Sequence, residues 1–135
     1  MALTKQGKIS LVEMAMKKVN VVPYEENQAA FGTNVKQVEL SNDAMAVCEC
    51  YINVVNENRT CHVGFSAVLS RAAESEFYLE VDGSERAKKY PNNNSTLQFL
   101  DFFLLGTGLH HVCVKAKAES PAVIAPREAR LGVYL

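Results

Sequence analysis

The chain has 135 residues, 48% of them hydrophobic, which suits one domain that buries about two-thirds of its unfolded surface without a metal or disulfide to staple it. Fourteen basic side chains stand against fifteen acidic ones, scattered with no basic stripe; this excludes nucleic acid as a partner, since no row of phosphates could be neutralised. No apolar run approaches the ~20 residues of a membrane helix, and the opening MALTKQGKISLVEMAMKK lacks the apolar block and cleavage site of a signal peptide, so the expectation is synthesis in a cytoplasm with no membrane partner.

The first 34 residues read as an arm. ISLVEMAMKKVNVV places Ile9, Val12, Met16 and Val19 at helical spacing, yet Val19, Val21 and Val22 favour extended backbone and Pro23 would end a helix. A short helix or strand is expected there. It is followed by PYEENQAAFGTN, a polar segment with isolated apolar anchors, Tyr24 and Phe31. Such a segment gains stability by lying along another surface.

From residue 35 the pattern alternates with period two. VKQVEL is closed by the turn SND. In AMAVCECYINVV, Ala46, Cys48, Cys50, Ile52 and Val54 share one face, opposite Met45, Val47, Glu49, Tyr51 and Asn53. TCHVGFSAVL turns Cys61, Val63, Phe65, Ala67 and Leu69 to the core. EFYLEVDG alternates Phe77, Leu79 and Val81 against Tyr78 and Glu80, and its Asp-Gly tolerates the positive φ of a tight turn. SERAKKYPNNNS reads as a polar crossing. In TLQFLDFFLL both rows are apolar, Leu97, Phe99, Asp101, Phe103 and Leu105 against Gln98, Leu100, Phe102 and Leu104. LHHVCVKAKA places His110, Val112, Val114, Ala116 and Ala118 opposite His111, Cys113, Lys115 and Lys117. Pro-bounded PAVIAP leads to ARLGVYL, where Leu131, Val133 and Leu135 turn together. Seven or eight short strands separated by turns predict an all-β, antiparallel sandwich or barrel over residues 35–135, after an arm over 1–34.

No catalytic constellation emerges. His110 and His111 are neighbours in a strand and face opposite ways, as do Cys61 and His62. Cys48, Cys50, Cys61 and Cys113 lie inside apolar stretches and form no CxxC, so they read as small buried hydrophobes, and no metal or cofactor is expected. Glu80 and Asp82 share a strand face and could together bind a cation, but a solvated face is the simpler reading. Asp101, among apolar neighbours, calls for an Arg or Lys partner. The triplets beginning at Asn58, Asn93 and Asn94 match the glycosylation pattern but read as turns.

More apolar residues face outward than a solitary sandwich needs. Burying them against copies of the same chain would stabilise an oligomer at ~25 cal/mol per Å² before the costs of association; the alternative is that the N-terminal arm covers one of the two sheets. The closing STLQFLDFFLLGTGLHHVCVKAKAESPAVIAPREARLGVYL carries Gly108, His110, Val112, Val114 and Ala116, then Leu131, Val133 and Leu135. In this it resembles the last strands of tumour-necrosis-factor-like jelly-roll modules of bacteriophage virion proteins, over roughly residues 36–135; its closing spacing is one residue shorter than the common form. The resemblance implies a jelly-roll β-sandwich assembled as a homotrimer, with the terminal strand near the threefold axis and aromatic residues between subunits.

On that resemblance the trimer interface is expected at Phe99, Asp101, Phe103, His110, Tyr134 and Leu135, and the arm is expected to contact the major capsid protein through Ile9, Leu11, Val12, Tyr24 and Phe31. The expected function is non-enzymatic: a decoration or cement protein on the capsid surface of the virion, made in the host cytoplasm. The alternative is a trimeric tail-fibre or baseplate module that binds a receptor or carbohydrate. A cupin-like metal enzyme is a third possibility, opposed by the divergent histidines.

Overall fold

The computed structural model describes residues 26–72, 74–89 and 95–135. Its elements are ten strands: β1 (Ala29–Thr33), β2 (Val38–Leu40), β3 (Met45–Val54), β4 (Arg59–Val68), β5 (Ser75–Val81), β6 (Ser84–Lys89), β7 (Thr96–Leu105), β8 (Gly108–Ala118), β9 (Ala122–Ile124) and β10 (Ala129–Tyr134). Every pairing is antiparallel. No helix among the described residues is long and apolar enough to cross a membrane.

Two four-stranded sheets, ordered β1-β10-β4-β7 and β3-β8-β5-β6, face each other, with β2-β9 as a small third pair. The chain passes from one sheet to the other between β3 and β4, β4 and β5, β6 and β7, and β7 and β8. This is the doubled Greek key of a jelly roll, eight strands in two sheets. The alternation that fixes each strand's inner face is the one the sequence carries. Cys61, Val63, Phe65 and Ala67 on β4 and Phe77, Leu79 and Val81 on β5 are buried. Phe65 stands at the centre, 5.3 Å from its cross-strand partner Phe99 and 5.8 Å from Phe77 of the opposite sheet, ring centroid to centroid.

Asp82 and Gly83 both have positive φ, 52° and 85°, and join β5 to β6 in the two-residue hairpin turn that Asp-Gly signals.

Three details depart from the sequence reading. Residues 29–33, assigned to the arm, form β1 and pair with β10 at the edge of the sandwich. Ala30 faces the core, but the next inward position is Gly32, whose lack of a side chain erased the alternation. A boundary at residue 35 therefore cuts off the first strand. Ser84–Lys89, read as a crossing, is the edge strand β6, a polar strand on which Ala87 packs against the core and the Arg86 guanidinium lies 4.7 Å from the centre of the Phe103 ring. On β3 a bulge between Ala46 and Cys48 turns Val47 and Cys48 both inward and leaves Ala46 exposed.

Candidate functional site

The outer faces of the two sheets differ in chemistry. On β3-β8-β5-β6 the outward positions carry charge in cross-strand pairs: Lys115 and Glu80 are 3.2 Å apart and Lys117 and Glu76 3.6 Å apart. The outward rows of β1-β10-β4-β7 are Ala29, Phe31 and Thr33; Arg130, Gly132 and Tyr134; Thr60, His62, Gly64, Ser66 and Val68; and Thr96, Gln98, Leu100, Phe102 and Leu104. Arg130 is the one side chain in these rows with a permanent charge. Leu100 is 84% exposed, Phe102 70%, Phe31 68% and Leu104 65%. Scattered exposed apolar residues are ordinary, but a contiguous sheet face of them marks an interaction surface.

The register explains the relief of this face. One row across the sheet runs Phe31, Gly132, Gly64, Leu100, and the next runs Ala29, Tyr134, His62, Phe102. Two glycines side by side make the floor of a trough between Phe31 and Leu100. The Tyr134 ring folds back over Gly132, where an added Cβ would lie 2.6 Å from the phenol oxygen, and meets Phe31 edge-on at 5.6 Å. Across the sheet, His62 lies 6.3 Å from Phe102. Ser66, Gln98 and Arg130 close one end of the trough with polar groups.

Of the residues expected at a trimer interface, Tyr134 lies on this face. Phe99 and Phe103 do not: they are buried in the subunit's own core, and Leu135 also packs against that core. The apolar row that faces outward on β7 is the other one, Leu100, Phe102 and Leu104. A signal for this was in the sequence, since Gln98 and Thr96 belong to that row and a polar start marks the solvent side. Asp101 points inward on β7, the edge strand, and is only half-buried. Among the described residues no Lys or Arg forms an ion pair with it; its Oδ1 accepts the Phe102 N–H at 2.9 Å. An inward charge at an edge strand discourages further strand pairing, which accounts for Asp101 without a cation. Phe31 of the arm lies on the exposed face, whereas Ile9, Leu11, Val12 and Tyr24 lie outside the described residues.

His110 is a structural tie between two turns. Its Nδ1 is 2.7 Å from Asp82 Oδ2 and its Nε2 2.7 Å from the Gly106 carbonyl oxygen, while the His111 N–H donates to Asp82 Oδ1 at 2.9 Å. Burial works to raise the Asp82 pKa, but these hydrogen bonds and the nearby histidines outweigh it and hold the carboxyl below its ordinary range. Asp82 is thus engaged by histidines, and Glu80 by Lys115, rather than forming a shared cation site.

The four cysteines are buried and free. Burial pushes the Cys50 thiol up to about 12 and the Cys61 thiol to about 11; it raises Cys48 further still. Cys113 is raised to about 11 by burial and then by the carboxylate of Glu49. Cys113 is buried, as its apolar stretch predicts, although it belongs to the outward row of β8. His62, His110 and His111 occupy three separate surroundings, so no histidine triad forms among the described residues.

No protein-family model and no curated protein matches this chain. Among solved structures it is similar to dimeric latent PorU from Porphyromonas gingivalis, with a TM-score of 0.53 and 11% identity, covering 83% of this chain and 13% of that one. It is also similar to the sugar-binding C-terminal domain of EclA, with a TM-score of 0.49 and 12% identity over 73% of this chain and 79% of that one. Eiger TNF from S. frugiperda has a TM-score of 0.48 and 10% identity over 82% of this chain and 92% of that one. Likeness at such identity concerns the fold alone, and the chain spans only a small part of PorU.

Proposed function

We propose that this chain is a non-enzymatic virion building block, a homotrimer of jelly rolls joined through the outward face of β1-β10-β4-β7, which decorates a bacteriophage head as a cement protein on the major capsid protein. The observation that carries the reading is the contrast between the two sheets, one faced with ion pairs and the other with Phe31, Leu100, Phe102, Leu104 and Tyr134. Removing that second face from water against like copies is the most economical account of it.

The resemblance of the closing strands to phage virion modules supports the place on a capsid. The segment before β1 supplies Ile9, Leu11, Val12 and Tyr24 as anchors for joints between capsid subunits, so that each trimer ties several neighbours and binds with the avidity of three arms. Expanded phage heads stripped of decoration test the proposal directly. The protein is expected to bind them saturably and to raise the temperature at which they rupture, and a version lacking residues 1–25 is expected to lose binding while keeping its oligomeric state. Heads indifferent to the intact protein would overturn the capsid role.

The trough favours one second reading, a fibre or baseplate module that binds carbohydrate or receptor. The Phe31 ring flanks the trough and the Tyr134 ring lies over Gly132 in its floor, with Arg130, Gln98 and Ser66 in reach, the pairing of stacking surface and hydrogen-bonding groups that a sugar ring uses. Glycan binding through this trough, by a protein that leaves phage heads unoccupied, would select that reading over the cement protein.

A further inference from the structure

On the opposite sheet, Glu49 of β3 and Cys113 of β8 are direct cross-strand partners. His111 precedes Cys113 by two residues and so stands on the same outward face. The bulge between Ala46 and Cys48 sets the phase that turns Glu49 outward toward them. His111 Nε2 and Glu49 Oε2 are 2.9 Å apart, and a sulfur, a nitrogen and an oxygen from the three residues all lie within 4.8 Å of one another.

We propose that Glu49, His111 and Cys113 form a zinc site on the outward face of β3-β8. The donor set selects the ion. Thiolate, imidazole and carboxylate together match zinc, whereas calcium and magnesium take oxygen ligands. Zinc bonds of about 2.0–2.3 Å in a tetrahedral arrangement separate ligand atoms by roughly 3.3–3.7 Å. Reaching that geometry requires the Glu49 and His111 atoms to part by a few tenths of an ångström and the sulfur to draw closer, movements on the scale of side-chain rotation.

The surroundings prepare the ligands. The Tyr51 ring stacks on His111 at 4.8 Å and 27°, which holds the imidazole edge toward Glu49. Glu49 has no Lys or Arg ion pair among the described residues, and His111 is its partner. Glu80, on the other side of Cys113, is already neutralised by Lys115. The carboxylate beside the thiol is therefore the one without a permanent counter-charge. Cys113 lies at the bottom of the cluster, and Glu49 and His111 flank its solvent side. Three protein ligands leave the fourth position for water or another small ligand. The site lies on the sheet that the proposed assembly leaves free, so it stands whether or not the chain trimerises.

The test uses the full chain, stripped of metal with a chelator and kept reduced, then titrated with cobalt(II) and zinc(II). One equivalent of cobalt is expected to bind with a near-ultraviolet thiolate-to-cobalt charge-transfer band and tetrahedral visible bands, both abolished by one equivalent of zinc. Cys113→Ser is expected to lose the charge-transfer band, and His111→Gln and Glu49→Gln to weaken zinc binding roughly tenfold or more. His111→Gln replaces a partly exposed side chain, so it carries the test if Cys113→Ser does not fold, with circular dichroism as the check on structure. Absence of the charge-transfer band in the parent protein, or zinc affinity unchanged in His111→Gln, would overturn the site.

Discussion

Gly32 of β1 lies against the backbone of Glu49 on β3 so closely that a Cβ at position 32 would overlap the Glu49 carbonyl oxygen and stand 2.8 Å from its carbon. Backbone cannot swing aside as a side-chain tip can. The contact draws the edge strand of one sheet onto the first strand of the other. Gly32→Ala is expected to destabilise the fold by about 3 kcal/mol, read as a shift in the urea midpoint. Gly64→Ala is the contrast, since its Cβ would meet only Leu100 Cδ2 at an ordinary 3.5 Å. Equal stability of the two variants would contradict the close approach.

Asn34 has a similar importance for a loop. Its buried amide donates to the carbonyls of Lys36 and Ala125 at 3.0 and 2.9 Å, and its Oδ1 accepts from the Ala129 N–H at 2.9 Å. Its backbone carbonyl accepts from Arg127, which has a positive φ of 68°. One side chain thus shapes the approach to the last strand. Asn34→Ala is expected to cost about 2–3 kcal/mol and to speed amide exchange at Arg127 and Ala129. Unchanged exchange there would contradict this role.

Asp82 gives a pH signature. Its folded pKa is lowered, so the folded chain holds that proton less tightly than the unfolded chain does. The stability it contributes is full above the ordinary carboxylate range and is lost as pH falls through that range toward the folded value. Denaturation of the parent and Asp82→Asn at several pH values is expected to show a gap at neutral pH that narrows in acid. A gap that widens in acid would reverse the sign and contradict the hydrogen bonds to His110 and His111.

The buried thiols make a chemical prediction. With Cys48 and Cys50 facing the core and their pKa values raised by burial, neither is expected to react with a thiol reagent at neutral pH until the protein unfolds. Rapid labelling of either residue in the native state, located by mass spectrometry, would contradict their inward placement.

Much of this fold is legible in the sequence because alternation and burial obey the same period. β4, β5 and β8 can be read from their inward rows, and the Asp82-Gly83 turn from the residues that tolerate its φ. Alternation failed where another constraint set the residue. Gly32 is small because two backbones meet there, Val47 is buried because a bulge adds a residue, and β6 is polar because an edge strand has little core to cover. The candidate surface was legible as a surplus of apolar residues but not as a place. Two apolar rows on β7 look alike until Gln98 is used to orient them, and the meeting of Gly64 with Gly132, 68 residues apart in sequence, depends on a register that only the folded sheet supplies. The Glu49–His111–Cys113 cluster was hidden for the same reason, because the pairing of β3 with β8 joins residues far apart in the chain.

Assembly through the exposed sheet face is the central claim, and sedimentation equilibrium of the intact protein at micromolar concentration tests it most directly. The parent is expected to show three times the mass of the chain, and Phe102→Asp, which places a charge on a face otherwise almost without one, to show the mass of a single folded chain. A parent that remains monomeric, with Leu100, Phe102 and Leu104 in water, would contradict the account.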